Sequence, residues 1–112
     1  MRRVVITGLG MVAATGNNVK DAWKAAIEGQ TGVAPITLFD TSTLPVKIAA
    51  EVKGLNAEDA LDPKEARRAT RFVALASVAA KEAMLDSALD VTGDTDNYGC
   101  AIGVGMGALW DI

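Results

Sequence analysis

The sequence predicts a layered α/β fold with a mainly parallel sheet, and three observations predict it. Two short apolar runs, Val4-Val5-Ile6 and the stretch Tyr98–Val104, have the pattern of strands buried on both faces. Segments of helical period lie between them, and one, Phe72–Ala80, is apolar nearly all round, as a helix sandwiched inside a protein would be. Each strand-like run leads into glycines, Gly8-Leu9-Gly10 after the first and Gly103-Val104-Gly105-Met106-Gly107 at the end of the second.

Taken in order, Arg3–Thr7 is the first expected strand, followed by the turn at Gly8 and Gly10. Asn18 is placed to cap a helix in which Val19, Ala22, Trp23, Ala26 and Ile27 recur at i, i+3, i+4, i+7 and i+8, and Gly29 stops it. Residues 30–55 carry no helical period; Pro35, Pro45 and the turn-like Phe39–Ser42 punctuate them, and Val46–Val52 is expected to add a short strand or hairpin. Asp62-Pro63-Lys64-Glu65 reads as a helix start, with Asp as N-cap, Pro at the first helical position and Glu completing a capping box. Helical character then runs to about Leu89 with a break near Thr70, and Thr92–Asn97 is a polar turn before the second strand. Two strands and one buried helix make a poor core alone, and Leu109–Ile112 adds no closing element, so the chain is expected to be a fragment.

Composition narrows the class. The 112 residues suffice for one modest domain, and 50% are hydrophobic, enough for a core and against disorder. With only 4% aromatic residues, that core must come from Ala, Val, Ile, Leu and Met. A net charge of −3 argues against bulk nucleic-acid binding. The single cysteine, Cys100, fits a reducing compartment, and the apolar run after Arg2-Arg3 is too short for a signal peptide or membrane span; a soluble cytoplasmic protein is expected. Histidine is absent, which removes the usual general base, the commonest metal ligand and every Ser-His or Cys-His pair. No metal or cofactor site is therefore read.

Four motifs remain to be weighed. Gly8–Ala13 matches the dinucleotide pattern G-x-G-x-x-A, yet Thr15–Asn18 intervene before a helix can open, and the acidic residue that should close a second strand is missing. Close turn packing is the better reading. Gly103–Gly107 lacks the Lys and Ser/Thr of a phosphate loop; its glycines allow close packing or let Met106 project into a cavity. Cys100, inside an apolar run without a neighbouring base, reads as a buried inert thiol. Lys64, Arg67, Arg68 and Arg71 fall at i, i+3, i+4 and i+7, gathering four of eleven positive charges on one helical stripe. Lys64 would lie in the first helical turn, where the macrodipole disfavours a cation, so the stripe reads either as a solvated face or as a docking patch for an acidic partner.

Together these pieces resemble the β-ketoacyl-acyl carrier protein synthases, elongating condensing enzymes of thiolase fold, and most closely their synthase II branch. The resemblance is carried by Arg3–Met11, Thr15-Gly16-Asn17, Trp23, Gly29–Gly32, Phe39-Asp40, Lys64–Arg68, Ala83-Met84 and Ala101–Gly107, in order through the chain. It implies that the sequence is the N-terminal quarter of such an enzyme, part of its first thiolase-like half. The implied reaction is decarboxylative Claisen condensation with malonyl-acyl carrier protein, using a cysteine and two histidines that in the family lie past this sequence. No catalytic residue is carried over, and the 112 residues alone are expected to be inactive. The resemblance further implies that Lys64, Arg67 and Arg68 dock acyl carrier protein, that Met106 holds the position gating the acyl pocket, and that the full enzyme is a homodimer. Two competing readings are a non-catalytic relative of the chain-length-factor type and an NAD(P)-binding oxidoreductase domain.

Overall fold

A computed structural model describes residues 2–93 and 95–108; Asp94, in the expected polar turn, and Leu109–Ile112 lie outside the described residues. The elements in chain order are α1 (Val19–Ile27), β1 (Val33–Pro35), β2 (Ile48–Ala50), a 3₁₀ turn (Ala57–Asp59), α2 (Pro63–Ala66) and α3 (Arg71–Ser87).

The helix starts follow from local chemistry. Asn18, in extended backbone, accepts a hydrogen bond from Asp21 N at 2.8 Å and opens α1. Asp62 accepts from Lys64 N at 2.8 Å and Glu65 N at 2.9 Å, with Pro63 at the first helical position, and so opens α2. The return arm of the capping box, from Glu65 to the Asp62 amide, is not formed. The break expected near Thr70 is real: α2 ends at Ala66, and α3 begins at Arg71 with Thr70 as an N-cap whose side chain makes no capping bond. At the other end Ala88 takes a left-handed conformation, φ 49°, and stops α3 one turn-residue short of Leu89.

The sheet differs from expectation. Among the described residues it is two-stranded and antiparallel, with Val33 opposite Ala50, Ala34 opposite Ala49 and Pro35 opposite Ile48. This places the short strand expected within Val46–Val52. The runs Arg3–Thr7 and Tyr98–Val104 are not strands: neither joins a ladder, and Val4 and Ile6 are 92% and 83% exposed. A doubly buried strand needs hydrogen-bonding neighbours and a covering layer on each face. The apolar pattern is present here without either.

The core lies where small residues meet. Ala22, Ala25 and Ala74 are the hydrophobic residues buried below a tenth of their surface among those described. On α1 this corrects the expected apolar face: Ala22 and Ala25 turn inward, while Trp23 and Ile27 stay more than two-thirds exposed. Helix α3 is the organising element, with the loop of residues 8–12 along one side. From its other parts, Lys81 Nζ donates to the Asp59 carbonyl at 2.6 Å and the Arg71 guanidinium donates to the Val52 carbonyl.

Candidate functional site

The opening glycines are fitted to α3. A Cβ built on Gly10 would overlap the Ala79 carbonyl oxygen and lie 2.8 Å from Ala83 N; one on Gly8 would overlap Ala83 O and lie 2.8 Å from Ser87 Cβ. Small residues at positions 79, 83 and 87, one turn apart, form the shelf on which the loop rests. Two carboxylates on the same helix then hold it. Asp86 accepts from Leu9 N at 2.9 Å, and Glu82 accepts from Met11 N and from Val19 N, each at 2.9 Å. Glu82 thus joins the loop to the first residue of α1. The amides a pyrophosphate would use at Leu9, Met11 and the start of α1 already face carboxylate oxygens, and Asn18 occupies Asp21 N. This is a packing motif, not a nucleotide cradle. The sequence carried the signal in Ala79-Ala83-Ser87 and Glu82-Asp86, both spaced by four.

The basic cluster is divided by the break between α2 and α3. Lys64 lies inside α2, Arg67 is its C-cap, Arg68 follows in the turn and Arg71 starts α3, so the expected single helical stripe is not formed. In a helix of only four residues Lys64 belongs to the first and the last turn at once, so the macrodipole argument carries no weight. Arg71 is committed to the Val52 carbonyl. Lys64, Arg67 and Arg68 remain exposed, and among the described residues the one ion pair within 4.0 Å is Lys24–Glu28, elsewhere on the surface. Three exposed cations therefore lie within five residues, none in an ion pair within 4.0 Å among the described residues, with Asp62 and Glu65 in the same segment.

Beside them is a shallow cleft of about 400 Å³ lined by Leu61, Glu65, Arg68, Ala69, Thr70 and Val73. Its floor and walls are mainly aliphatic. The Thr70 hydroxyl is buried without a hydrogen-bond partner, the one such side-chain atom among the described residues.

A second groove of about 400 Å³ runs between α3 and the glycine-rich segment, lined by Val12, Phe72, Leu75, Ala79, Ile102 and Val104 among others. Met106 follows a groove-lining residue, Gly105, by one position, and is itself 75% exposed. Cys100 is exposed, not buried as its apolar neighbours imply, because residues 98–104 form no ladder that would enclose it. Among the described residues, no group of three or more His, Cys, Asp or Glu side chains could hold a metal ion. No helix of the described residues is long and apolar enough to cross a membrane.

The described residues thus bring together an exposed cation cluster, a helix-packed glycine loop and an apolar groove. The family is defined by comparison: the chain belongs to the β-ketoacyl synthases, whose N-terminal domain ("Beta-ketoacyl synthase, N-terminal domain") matches residues 1–111. More particularly, it is similar to a 3-oxoacyl-[acyl-carrier-protein] synthase 2 of Staphylococcus aureus (strain N315), 46% identical over 109 residues. It is 45% identical over 109 residues to the enzyme of that name from Coxiella burnetii (strain RSA 493 / Nine Mile phase I). Each match covers 96% of this chain and 26% of the relative, so the chain spans about a quarter of their length.

Proposed function

We propose that residues 1–112 form the N-terminal part of the first thiolase-like half of a 3-oxoacyl-acyl carrier protein synthase, the remainder of the synthase lying outside this sequence. The full enzyme elongates fatty acyl chains in the cytoplasm as a homodimer. Its reaction joins the acyl carbonyl carbon to C2 of malonyl-acyl carrier protein, with loss of carbon dioxide and release of the thiol that held the acyl group. The family match over residues 1–111 carries this reading. The absence of histidine from the sequence supports the corollary that these residues supply binding and not proton transfer.

Within that enzyme, Lys64, Arg67 and Arg68 dock the acidic carrier protein. Their exposure, and the absence among the described residues of an ion pair holding any of them within 4.0 Å, support this role. Met106 gates the acyl pocket: an unbranched thioether beside an apolar groove and between glycines can swing aside at low cost.

The test is a condensation assay. The complete synthase, given acyl- and malonyl-acyl carrier proteins, should form the 3-oxoacyl product with stoichiometric carbon dioxide, and the 112-residue chain should form none. A complete protein that binds both carriers and makes no product is instead a non-catalytic relative, and the reading fails.

A further inference from the structure

Lys81 is a cation that neither the basic cluster nor the opening loop uses. It stands on α3 about 15 Å along the helix axis from Arg71, and its ammonium group donates to the Asp59 carbonyl at 2.6 Å. Among the described residues no carboxylate lies within 4.0 Å of that group, so the carbonyl is its partner. The 3₁₀ turn itself closes on the Asn56 and Ala57 carbonyls, which accept from Asp59 N, Ala60 N and Leu61 N. The Asp59 carbonyl, at the end of the turn, takes part in none of these bonds and receives a cation, as the last carbonyls of a helix favour.

The turn matters because of what rests on it. Helix α2 packs on the 3₁₀ turn, and the turn packs on α3. Four residues of helix have little stability of their own, so where Lys64, Arg67 and Arg68 stand depends on the seat beneath α2. Arg71 makes a second attachment, from the first residue of α3 to the Val52 carbonyl at the far end of the same segment. We propose that Lys81 is a positioning residue for carrier docking. By pinning the Asp59 carbonyl it holds the turn on α3 and, through the turn, keeps α2 and its cations in one place. The inference rests on the docking role proposed above and concerns a residue that acts through others.

The experiment pairs hydrogen exchange with steady-state condensation by the complete synthase. Lys81→Met keeps the length of the stem and loses the donor; Lys81→Arg keeps a donor. In Lys81→Met, amide exchange over residues 57–66 should quicken about tenfold while that of residues 72–80 stays as it was. KM for acyl-acyl carrier protein should rise about threefold at low and at high salt, with kcat unchanged, because position is lost and not charge. Lys81→Arg should restore both readouts. Unchanged exchange over residues 57–66 overturns the proposal, as does a KM defect that vanishes at high salt, which would make Lys81 a docking cation itself. The pair Arg67→Glu and Arg68→Glu separates the two roles. If that pair raises KM and Lys81→Met does not, the docking role stands and the positioning role falls; if the pair leaves KM unchanged, both fall.

Discussion

Gly10→Ala is the sharpest probe of why the chain opens as it does. The new methyl group would meet the Ala79 carbonyl oxygen and stand 2.8 Å from both the Ala79 carbonyl carbon and Ala83 N. These are backbone atoms of a seventeen-residue helix and cannot rotate away, so the loop must retreat. Retreat by about 1 Å stretches the Leu9 N–Asp86 and Met11 N–Glu82 bonds, each 2.9 Å, beyond useful length. A hydrogen bond to a charged group is worth about 1.5–3 kcal/mol, less at the surface, so losing both and straining the contact should cost about 3 kcal/mol. Gly99→Ala is the matched control, because its Cβ meets nothing within 4 Å and its φ is not positive. Urea unfolding of the synthase followed by circular dichroism should show a lowered midpoint for Gly10→Ala and none for Gly99→Ala. Equal midpoints for the two variants would refute the helix-packing role of the motif.

Other consequences are equally direct. Glu82→Gln keeps one acceptor oxygen but turns an amide donor toward a backbone donor, at Met11 or Val19; a loss of about 2 kcal/mol is expected in the same unfolding assay, with Glu82→Asp no substitute because its shorter arm cannot reach both. Thr70→Val removes a buried hydroxyl that has no partner and caps nothing, and should stabilise the protein by about 1 kcal/mol in thermal unfolding. Glu51 accepts from the Thr37 hydroxyl at 2.8 Å and from the Thr37 and Leu38 amides, and the side-chain bond, then the backbone ones, hold its carboxyl below the usual glutamate range. Its stabilisation is therefore complete above the ordinary glutamate pKa and fades as pH falls through the lowered folded value. Glu51→Gln should flatten that acid limb in a pH series of unfolding midpoints.

The parts legible in the sequence were those written in local chemistry. Asn18, Asp62-Pro63 and the break at Thr70 announce helix boundaries within three or four residues, so distant contacts have little power over them. Strands are different, since an apolar run becomes one only by pairing, and Arg3–Thr7 and Tyr98–Val104 have no ladder among the described residues. The inward face of α1 went to Ala22 and Ala25, and the turn at Gly16 packs directly on the backbone at the start of that helix, where an added Cβ would lie 2.5 Å from Ala22 N. Periodicity weighs hydrophobicity and cannot see that a close-packed face prefers alanine to Trp23. At the site, the positions of Lys64, Arg67 and Arg68 were readable, but their separation from Arg71 was not, because a spacing of three and four assumes one continuous helix. The cleft beside Arg68 depends on three segments meeting and left no mark in the sequence pattern.

The central claim is that this segment serves a condensing enzyme by holding its carrier protein, and charge reversal tests it most directly. Steady-state condensation by the complete synthase carrying Arg67→Glu and Arg68→Glu should show KM for acyl-acyl carrier protein raised about tenfold with kcat preserved, the defect shrinking as ionic strength rises. An unchanged KM at low salt would contradict the account.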